Sequence, residues 1–156
     1  MAAYEQSILW KKNLAQQEDH DPYSVARDRL RVAFIQTRTA VEPLVAAIAK
    51  ELPNLTVHNI THLDSLWGIA DVLMGDDFEI NPAETFVLGM AFLLHDSACS
   101  TFAYPNGIDG LRDTSEWKDF VAQKGFSEEE LKKGALGYQQ TLFETLRLLH
   151  PQQAEK

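Results

Sequence analysis

Apolar side chains recur every three or four residues along most of the chain, and stretches in which they alternate with polar ones are almost absent. The first spacing places side chains on one face of an α-helix, whereas alternation is typical of a strand. Glycine and proline stand mostly where the periodic stretches end. The pattern predicts an all-α domain, whose first long helix begins at Asp21 and Pro22 and is kinked or divided by Pro43.

Two further helices are predicted in the middle of the chain. The earlier one ends at Gly75, and its predicted core face consists of Leu63, Leu66, Trp67, Ala70 and Leu73. The later one has Asn81 as its cap and Pro82 in its first position, and the carboxylate of Glu84 can reach back to the cap amide. Because this helix is apolar on every side from Thr85 to Leu94, we expect the other helices to surround it.

The remainder of the chain begins with a predicted ordered loop, residues 97–112, that Phe102 and Tyr104 pack against the domain. Two more helices are predicted after it, one from a cap at Asp113–Glu116 to Gly125 and one from a cap at Ser127–Glu130 toward His150.

The length suits one domain with one core, and we predict an N-terminal segment, residues 1–22, followed by one helical domain, residues 23–156. Cys99 is the single cysteine, so no internal disulfide forms and a reducing compartment, the cytoplasm, is expected. The N-terminal residues do not resemble a signal peptide. The longest apolar run, Phe86–Leu94, has nine residues, whereas a membrane span needs about 20.

The charge of the chain narrows the range of partners. It carries 14 lysines and arginines against 23 aspartates and glutamates, a formal net charge of −9. No basic cluster larger than a pair is present, so the chain lacks the positive patch that neutralises nucleic-acid phosphates, and we expect no general binding to DNA or RNA. An anionic phosphate substrate would need a local reversal of the field, which a bound metal ion supplies.

Three of the five histidines fall on the two middle helices. His58 and His62 are four residues apart, which predicts that they stack on one helix face, and His95 and Asp96 follow at the end of the apolar helix. Imidazole and carboxylate groups together suit a divalent transition metal. The alternative is a helix end at the protein surface, where the helix dipole favours a histidine and Asp96 starts a turn.

These residues carry a resemblance to a known family. The stretch His58–His62, of sequence His-Asn-Ile-Thr-His, and the apolar run Gly89–Asp96 that ends in His-Asp resemble the HD superfamily of metal-dependent phosphohydrolases. The His-Asn-x-x-His stretch is also similar to a motif of cyclic-nucleotide phosphodiesterases within that superfamily. Residues 50–156 look like a divergent bacterial HD domain, of a group that often precedes a GHKL-type, chaperone-like ATPase domain and is suspected of acting in stress or antiphage conflict systems.

The resemblance implies a site and a reaction. His62, His95 and Asp96 would be metal ligands, and His58 would donate a proton to the leaving oxygen of a nucleotide or another phosphoester. The ion, which could be Mn, Fe, Ni, Zn or Mg, would act as a Lewis acid on a phosphate oxygen and activate a water molecule as the nucleophile. For His58, a capping or surface role is the alternative.

The resemblance also predicts that one metal ligand is missing from this chain. HD enzymes complete their site with a further aspartate from a helix well downstream, and the chain extends 60 residues beyond Asp96. Asp109, Asp113 and Asp119 lie where the family does not place that ligand. We therefore expect an HD-like helical bundle that is incomplete at its C-terminal end, as in a truncated chain.

Three further residues have simpler interpretations. Asp64 is interpreted as a solvated side chain, or else as a hydrogen-bond partner of a ligand. Cys99 lies three residues after Asp96, close enough for metal ligation or redox sensing, but a single thiol more often serves packing. His150 is interpreted as a cation in the last turn of its helix, with a role in a site of a longer protein as the alternative.

Three functions remain open on the sequence. The first is a metal-dependent phosphohydrolase or phosphodiesterase domain. The second is a catalytically incomplete HD-like module that binds a metal or a nucleotide and regulates a larger ATPase, stress or defence protein. The third is a helical interaction domain whose histidines are structural and whose acidic surface meets a basic partner.

Overall fold

The computed structural model describes residues 2–15, 20–52, 58–75 and 78–154, and every regular element within them is helical. The described residues form two short 3-10 helices, Ala3–Gln6 and Thr101–Ala103, and seven α-helices. The α-helices are α1 (Ile8–Asn13), α2 (Ser24–Glu51), α3 (Ile60–Met74), α4 (Pro82–Leu94), α5 (Gly107–Arg112), α6 (Ser115–Lys124) and α7 (Leu136–Ala154). The prediction of an all-α, HD-like helical bundle is confirmed.

The chain divides into two compact units. Unit 1 comprises residues 1–43 and 57–94, and unit 2 comprises residues 44–56 and 95–156. Helix α2 contributes to both. The predicted single domain over residues 23–156 remains a prediction.

Pro43 lies inside α2 without dividing it. The helix is continuous from Ser24 to Glu51. A proline in a helix removes one backbone hydrogen bond, and here Val41 and Val45 are buried on either side of it and hold the helix in place. Of the two predicted effects of Pro43, the division of the helix is therefore wrong, whereas the kink stays a prediction.

The core of unit 1 is a cluster of aromatic rings around Trp67, which is fully buried. The ring centroid of Trp67 lies 5.7 Å from that of Trp10 and 5.5 Å from that of Phe34, and both pairs meet edge to face. Tyr4 completes the cluster, with its ring centroid 4.7 Å from that of Trp10. The N-terminal residues Tyr4 and Trp10 thus pack against the rings that α2 and α3 contribute to this core.

Helix α4 begins as predicted but is buried on one face only. Asn81 and Glu84 form the reciprocal cap, with Asn81 N–H donating to Glu84 Oε2 at 2.8 Å and Glu84 N–H donating to Asn81 Oδ1 at 3.0 Å. Buried positions recur every fourth residue, at Thr85, Gly89 and Leu93. Val87 is 65% exposed, so the expectation of a surrounded helix is wrong. The short helix packs one face against α1 and α3, and its opposite face stays open.

The predicted face of α3 is confirmed in part. Leu63, Trp67 and Ala70 are buried and Leu66 is half-buried. Leu73 is 81% exposed, because it lies in the last turn before Gly75 ends the helix.

In unit 2, residues 97–112 carry more regular structure than predicted. The carboxylate of Glu51, the last residue of α2, accepts hydrogen bonds from the Ser100 hydroxyl at 3.1 Å, from Thr101 N–H at 2.8 Å and from the Thr101 hydroxyl. These contacts hold the 3-10 helix Thr101–Ala103, and α5 follows it. Phe102 is exposed and does not pack the segment as expected, whereas Tyr104 is half-buried.

The capping residues predicted α6 correctly, but they placed the start of α7 too early. Helix α6 has the Thr114 hydroxyl as its cap and ends at Gly125, which has a positive φ of 68°, as predicted. Ser127 and Glu130 also form their predicted hydrogen bonds, but around a turn instead of a helix start, and Gly134 follows with a positive φ of 94°. Helix α7 therefore begins later, at Leu136, and continues through His150 and Pro151 to Ala154.

Among the described helices, α2 alone is long and apolar enough, by length and composition, to cross a membrane. Its Phe34 is nevertheless buried in the aromatic cluster, and its Arg38 pairs with a buried carboxylate of α3. These are the contacts of a helix packed within a domain, and we describe it as such. The cytoplasmic location remains a prediction.

Candidate metal-binding residues

His58 and His62 lie together at the start of α3, although not on one helix face. The side chain of Asn59 caps α3 and accepts a hydrogen bond from His62 N–H at 3.0 Å. His58 therefore precedes the helix, and the predicted stacking by helical spacing is wrong. The extended backbone at Asn59 nevertheless brings the two imidazoles close, with ring centroids 5.4 Å apart in an edge-to-face arrangement. Both residues are half-buried.

His95 and Asp96 follow the end of α4 at Leu94, as the sequence predicts. The two side chains contact one another, with His95 Nε2 2.8 Å from Asp96 Oδ2. The His95 side chain is 42% exposed and that of Asp96 is 12% exposed. Asp96 does start a turn, since its carbonyl accepts a hydrogen bond from Cys99 N–H at 2.9 Å. The exposure of His95 fits the predicted helix end at the surface, whereas the burial of Asp96 does not.

In unit 2, Asp96 also lies close to Cys99 and His150, and the three residues form a cluster of potential metal ligands. One carboxylate oxygen, the thiol sulfur and one imidazole nitrogen of these residues all lie within 4.8 Å of one another. The sequence shows that Cys99 lies close to Asp96, but we interpreted His150 as a cation in the last turn of its helix and did not predict that it lies close to the other two residues. Its imidazole is half-buried, and its Nδ1 lies 2.9 Å from the Arg147 carbonyl, to which it donates. The residues around His150 contain no pattern that predicts its position beside the turn that follows α4.

Burial shifts the pKa values of Cys99 and of the nearby Tyr104. Desolvation raises the pKa of the Cys99 thiol to about 12, and the charge of Asp96 acts in the same direction. Burial also raises the pKa of Tyr104, and the neighbouring Cys99 adds to that shift. Without a bound cation, Cys99 is therefore a protonated thiol at neutral pH rather than a nucleophile.

Asp64 is not a solvated side chain. It is buried in unit 1, and its two carboxylate oxygens accept hydrogen bonds from Arg38. The hydrogen bond to Asp64 is the main cause that raises the pKa of Arg38. The interpretation of Asp64 as a solvated residue is wrong. Its partner, Arg38, comes from a different helix, so the pair could not be seen in the sequence around Asp64.

The downstream aspartates lie at the surface. Asp109, Asp113 and Asp119 are all exposed on or beside α5 and α6. Within the described part of the chain, none of them belongs to a group of potential metal ligands.

The comparisons with known proteins give one match. Residues 52–156, about two thirds of the chain, match the HD-CE family. Neither a curated protein nor a solved structure matches the chain. The matched range contains His58, His62, His95 and Asp96, as well as Cys99 and His150. It therefore carries an HD-like domain, and the chain belongs to the HD-CE family.

Proposed function

We propose that this chain is an HD-type metal-dependent phosphohydrolase or phosphodiesterase domain that acts on a nucleotide or another phosphoester. The observation that carries the proposal is the HD-CE match over the range that holds the four predicted site residues. The resemblance of these residues to the HD superfamily supports the finer assignment.

The proposed ligands are His62, His95 and Asp96, and their chemistry fits a divalent ion. Two imidazoles and one carboxylate are a donor set typical of a transition metal. Asp96 is buried, and a carboxylate in that environment needs a cationic or hydrogen-bonding partner. His95 already lies against it, so the local environment suits a positive charge.

A divalent ion bound there would supply Lewis acidity toward a phosphate oxygen and would lower the pKa of a water molecule. It would also counter the repulsion between a phosphate and a chain of net charge −9. We propose that His58 donates a proton to the oxygen of the leaving group. Its edge-to-face contact with His62 restricts its ring, which favours a defined direction of transfer.

The partners follow from the same proposal. The substrate would be an anionic phosphoester, and a GHKL-type ATPase domain is proposed as a neighbour in a longer cytoplasmic protein. We propose no membrane partner and no general binding to nucleic acid, since the chain has no large basic cluster.

The test is hydrolysis of an aryl phosphodiester and of a panel of linear and cyclic nucleotides by the full chain, supplied in turn with Mn²⁺, Fe²⁺, Ni²⁺, Zn²⁺ and Mg²⁺. We expect turnover with at least one ion and a loss of about 100-fold or more in His62→Ala and Asp96→Asn. His58→Ala should lower the rate by about 10²- to 10⁴-fold without loss of metal.

His20→Ala is the matched control, because His20 is an exposed histidine outside the proposed site. It should retain the rate of the wild-type chain. A rate in His62→Ala equal to that of the control would contradict the proposal.

A second function, a regulatory module that binds metal or nucleotide without turnover, is favoured by one observation. The three aspartates that could supply a further carboxylate are exposed, outside any group of potential ligands in the described residues. Stoichiometric metal binding with no hydrolysis on the whole panel would support this function over the first.

A further inference from the structure

The cluster of Asp96, Cys99 and His150 has the properties of a ligand set that the HD motif does not include. Its three donors are a carboxylate, a thiol and an imidazole, contributed by the turn after α4 and by α7, all within unit 2. The separations stay within 4.8 Å, whereas ligands of a tetrahedral Zn²⁺ at 2.0–2.3 Å lie about 3.3–3.8 Å apart. Side-chain movements of about 1 Å would bring the three donors onto one ion.

The hydrogen bond that His150 makes leaves one of its ring nitrogens available for ligation. Its Nδ1 donates a hydrogen bond to the Arg147 carbonyl, one turn earlier in α7, which leaves Nε2 as the nitrogen able to bind a metal. Metal-binding histidines almost always donate their other ring N–H in this way, because the hydrogen bond fixes the tautomer and the direction of the ring.

The surroundings suit a divalent ion on charge grounds as well. Asp96 is buried, and Cys99, itself half-buried, lies between the buried residues Ala98 and Ser100. One carboxylate and one thiolate together carry two negative charges, which neutralise a divalent cation, so that no net charge is left at these partly desolvated ligands. Binding would form a metal–Sγ bond and release the thiol proton to the solvent.

We propose that Asp96, Cys99 and His150 form a thiolate-containing metal site that selects Zn²⁺ or Co²⁺ over Mg²⁺ and Mn²⁺, and that shares Asp96 with the proposed HD-type ligands. The selectivity follows from the sulfur donor, since soft thiolates favour zinc-like ions and hard oxygen donors favour Mg²⁺ and Mn²⁺. The three side chains leave one tetrahedral position open. This site goes beyond the proposed function, because it does not require turnover.

Titration of the full chain with Co²⁺, without chelators or competing thiols, tests the proposal by near-ultraviolet absorption. Thiolate ligation gives an intense sulfur-to-cobalt charge-transfer band, and Cys99 is the single cysteine, so the band reports on this residue alone. We expect a saturable band in the wild-type chain, displaced by Zn²⁺ and not by Mg²⁺. A wild-type chain that binds Co²⁺ without this band, or binds none, would overturn the proposal whatever the variants do.

Three variants separate this site from the HD-type site. Cys99→Ser, which is nearly isosteric, should abolish the band, and His150→Ala should weaken Co²⁺ binding by about 10-fold or more. His62→Ala should keep the band, even where it stops hydrolysis. Circular dichroism checks that each variant folds. A band of unchanged affinity in His150→Ala would overturn the assignment, whereas a band without any phosphohydrolase activity would contradict only the proposed function.

Discussion

Arg38 holds the buried carboxylate of Asp64 with two hydrogen bonds, from Nε to Oδ1 at 2.9 Å and from Nη2 to Oδ2 at 2.7 Å. The Asp64 side chain is 5% exposed. The guanidinium also lies over the ring of Tyr4, with Cζ 5.4 Å from its centroid. The ion pair therefore joins α2 to α3 beside the aromatic core of unit 1, and it neutralises a charge that the protein could not otherwise bury.

Removal of Arg38 should destabilise the chain more than removal of the charge on Asp64. Arg38→Met leaves an unpaired carboxylate in a buried position and should lower the free energy of unfolding by about 3 kcal/mol. Asp64→Asn keeps an acceptor and leaves a guanidinium that can still reach water, so a loss of about 1–2 kcal/mol is expected. Urea unfolding followed by circular dichroism measures both values.

The Arg31–Asp28 pair is the matched control, because the Asp28 side chain is 56% exposed. Asp28→Asn should change the free energy of unfolding by less than about 0.5 kcal/mol. Equal effects of Asp28→Asn and Asp64→Asn would show that burial of the Arg38–Asp64 pair has no energetic consequence.

Gly89 and Gly68 are both helical, and alanine should have opposite effects at the two positions. A Cβ at Gly89 would lie 2.5 Å from Cζ2 of Trp67, whereas a Cβ at Gly68 would meet no atom within 4 Å. Gly89→Ala should therefore cost about 1–3 kcal/mol through overpacking. Gly68→Ala should gain up to about 1 kcal/mol from helix propensity.

Thermal unfolding of the two alanine variants measures the difference. A melting temperature of Gly89→Ala at or above that of Gly68→Ala would contradict the close approach of α4 to Trp67.

Asp21 should contribute an acid-sensitive part of the stability. A hydrogen bond from the Arg27 side chain, and then one from Tyr23 N–H, lower the pKa of Asp21 below its ordinary value of 3.8. The folded state thus favours the carboxylate, so its contribution is complete above that ordinary value and is lost as the pH falls through the lowered pKa.

Urea midpoints between pH 2 and 6 for the wild-type chain and Asp21→Asn measure this contribution. The advantage of the wild-type chain should be constant near pH 6 and should shrink below about pH 4. An advantage that grows as the pH falls would reverse the sign of the linkage and contradict the Asp21–Arg27 pair.

The features that the sequence predicted correctly depend on local chemistry. The caps of α4 and α6 involve residues within four positions of one another, and both form as their sequences indicate. The place of His95 and Asp96 after an apolar helix is likewise local. Such signals depend on backbone groups that the neighbouring residues must satisfy, whatever the rest of the fold does.

The features that the sequence did not predict depend on contacts between distant elements. The partner of Asp64 is 26 residues away on α2, and His150 reaches Asp96 from α7. The apolar composition of α4 predicted burial on all sides, but the number of helices that cover it is set by packing, and Val87 stays exposed. His58 and His62 did meet, although through the extended cap residue Asn59 rather than through helical spacing.

Metal content tests the central claim most directly, because Asp96 belongs to both proposed ligand sets. Protein purified without chelators from medium supplemented with Mn, Fe, Ni and Zn is analysed by mass spectrometry of its elements, beside Asp96→Ala and the control His20→Ala. We predict about one equivalent or more of metal in the wild-type chain and in His20→Ala, and a marked loss in Asp96→Ala. A wild-type chain that holds no more of these metals than Asp96→Ala would contradict the account.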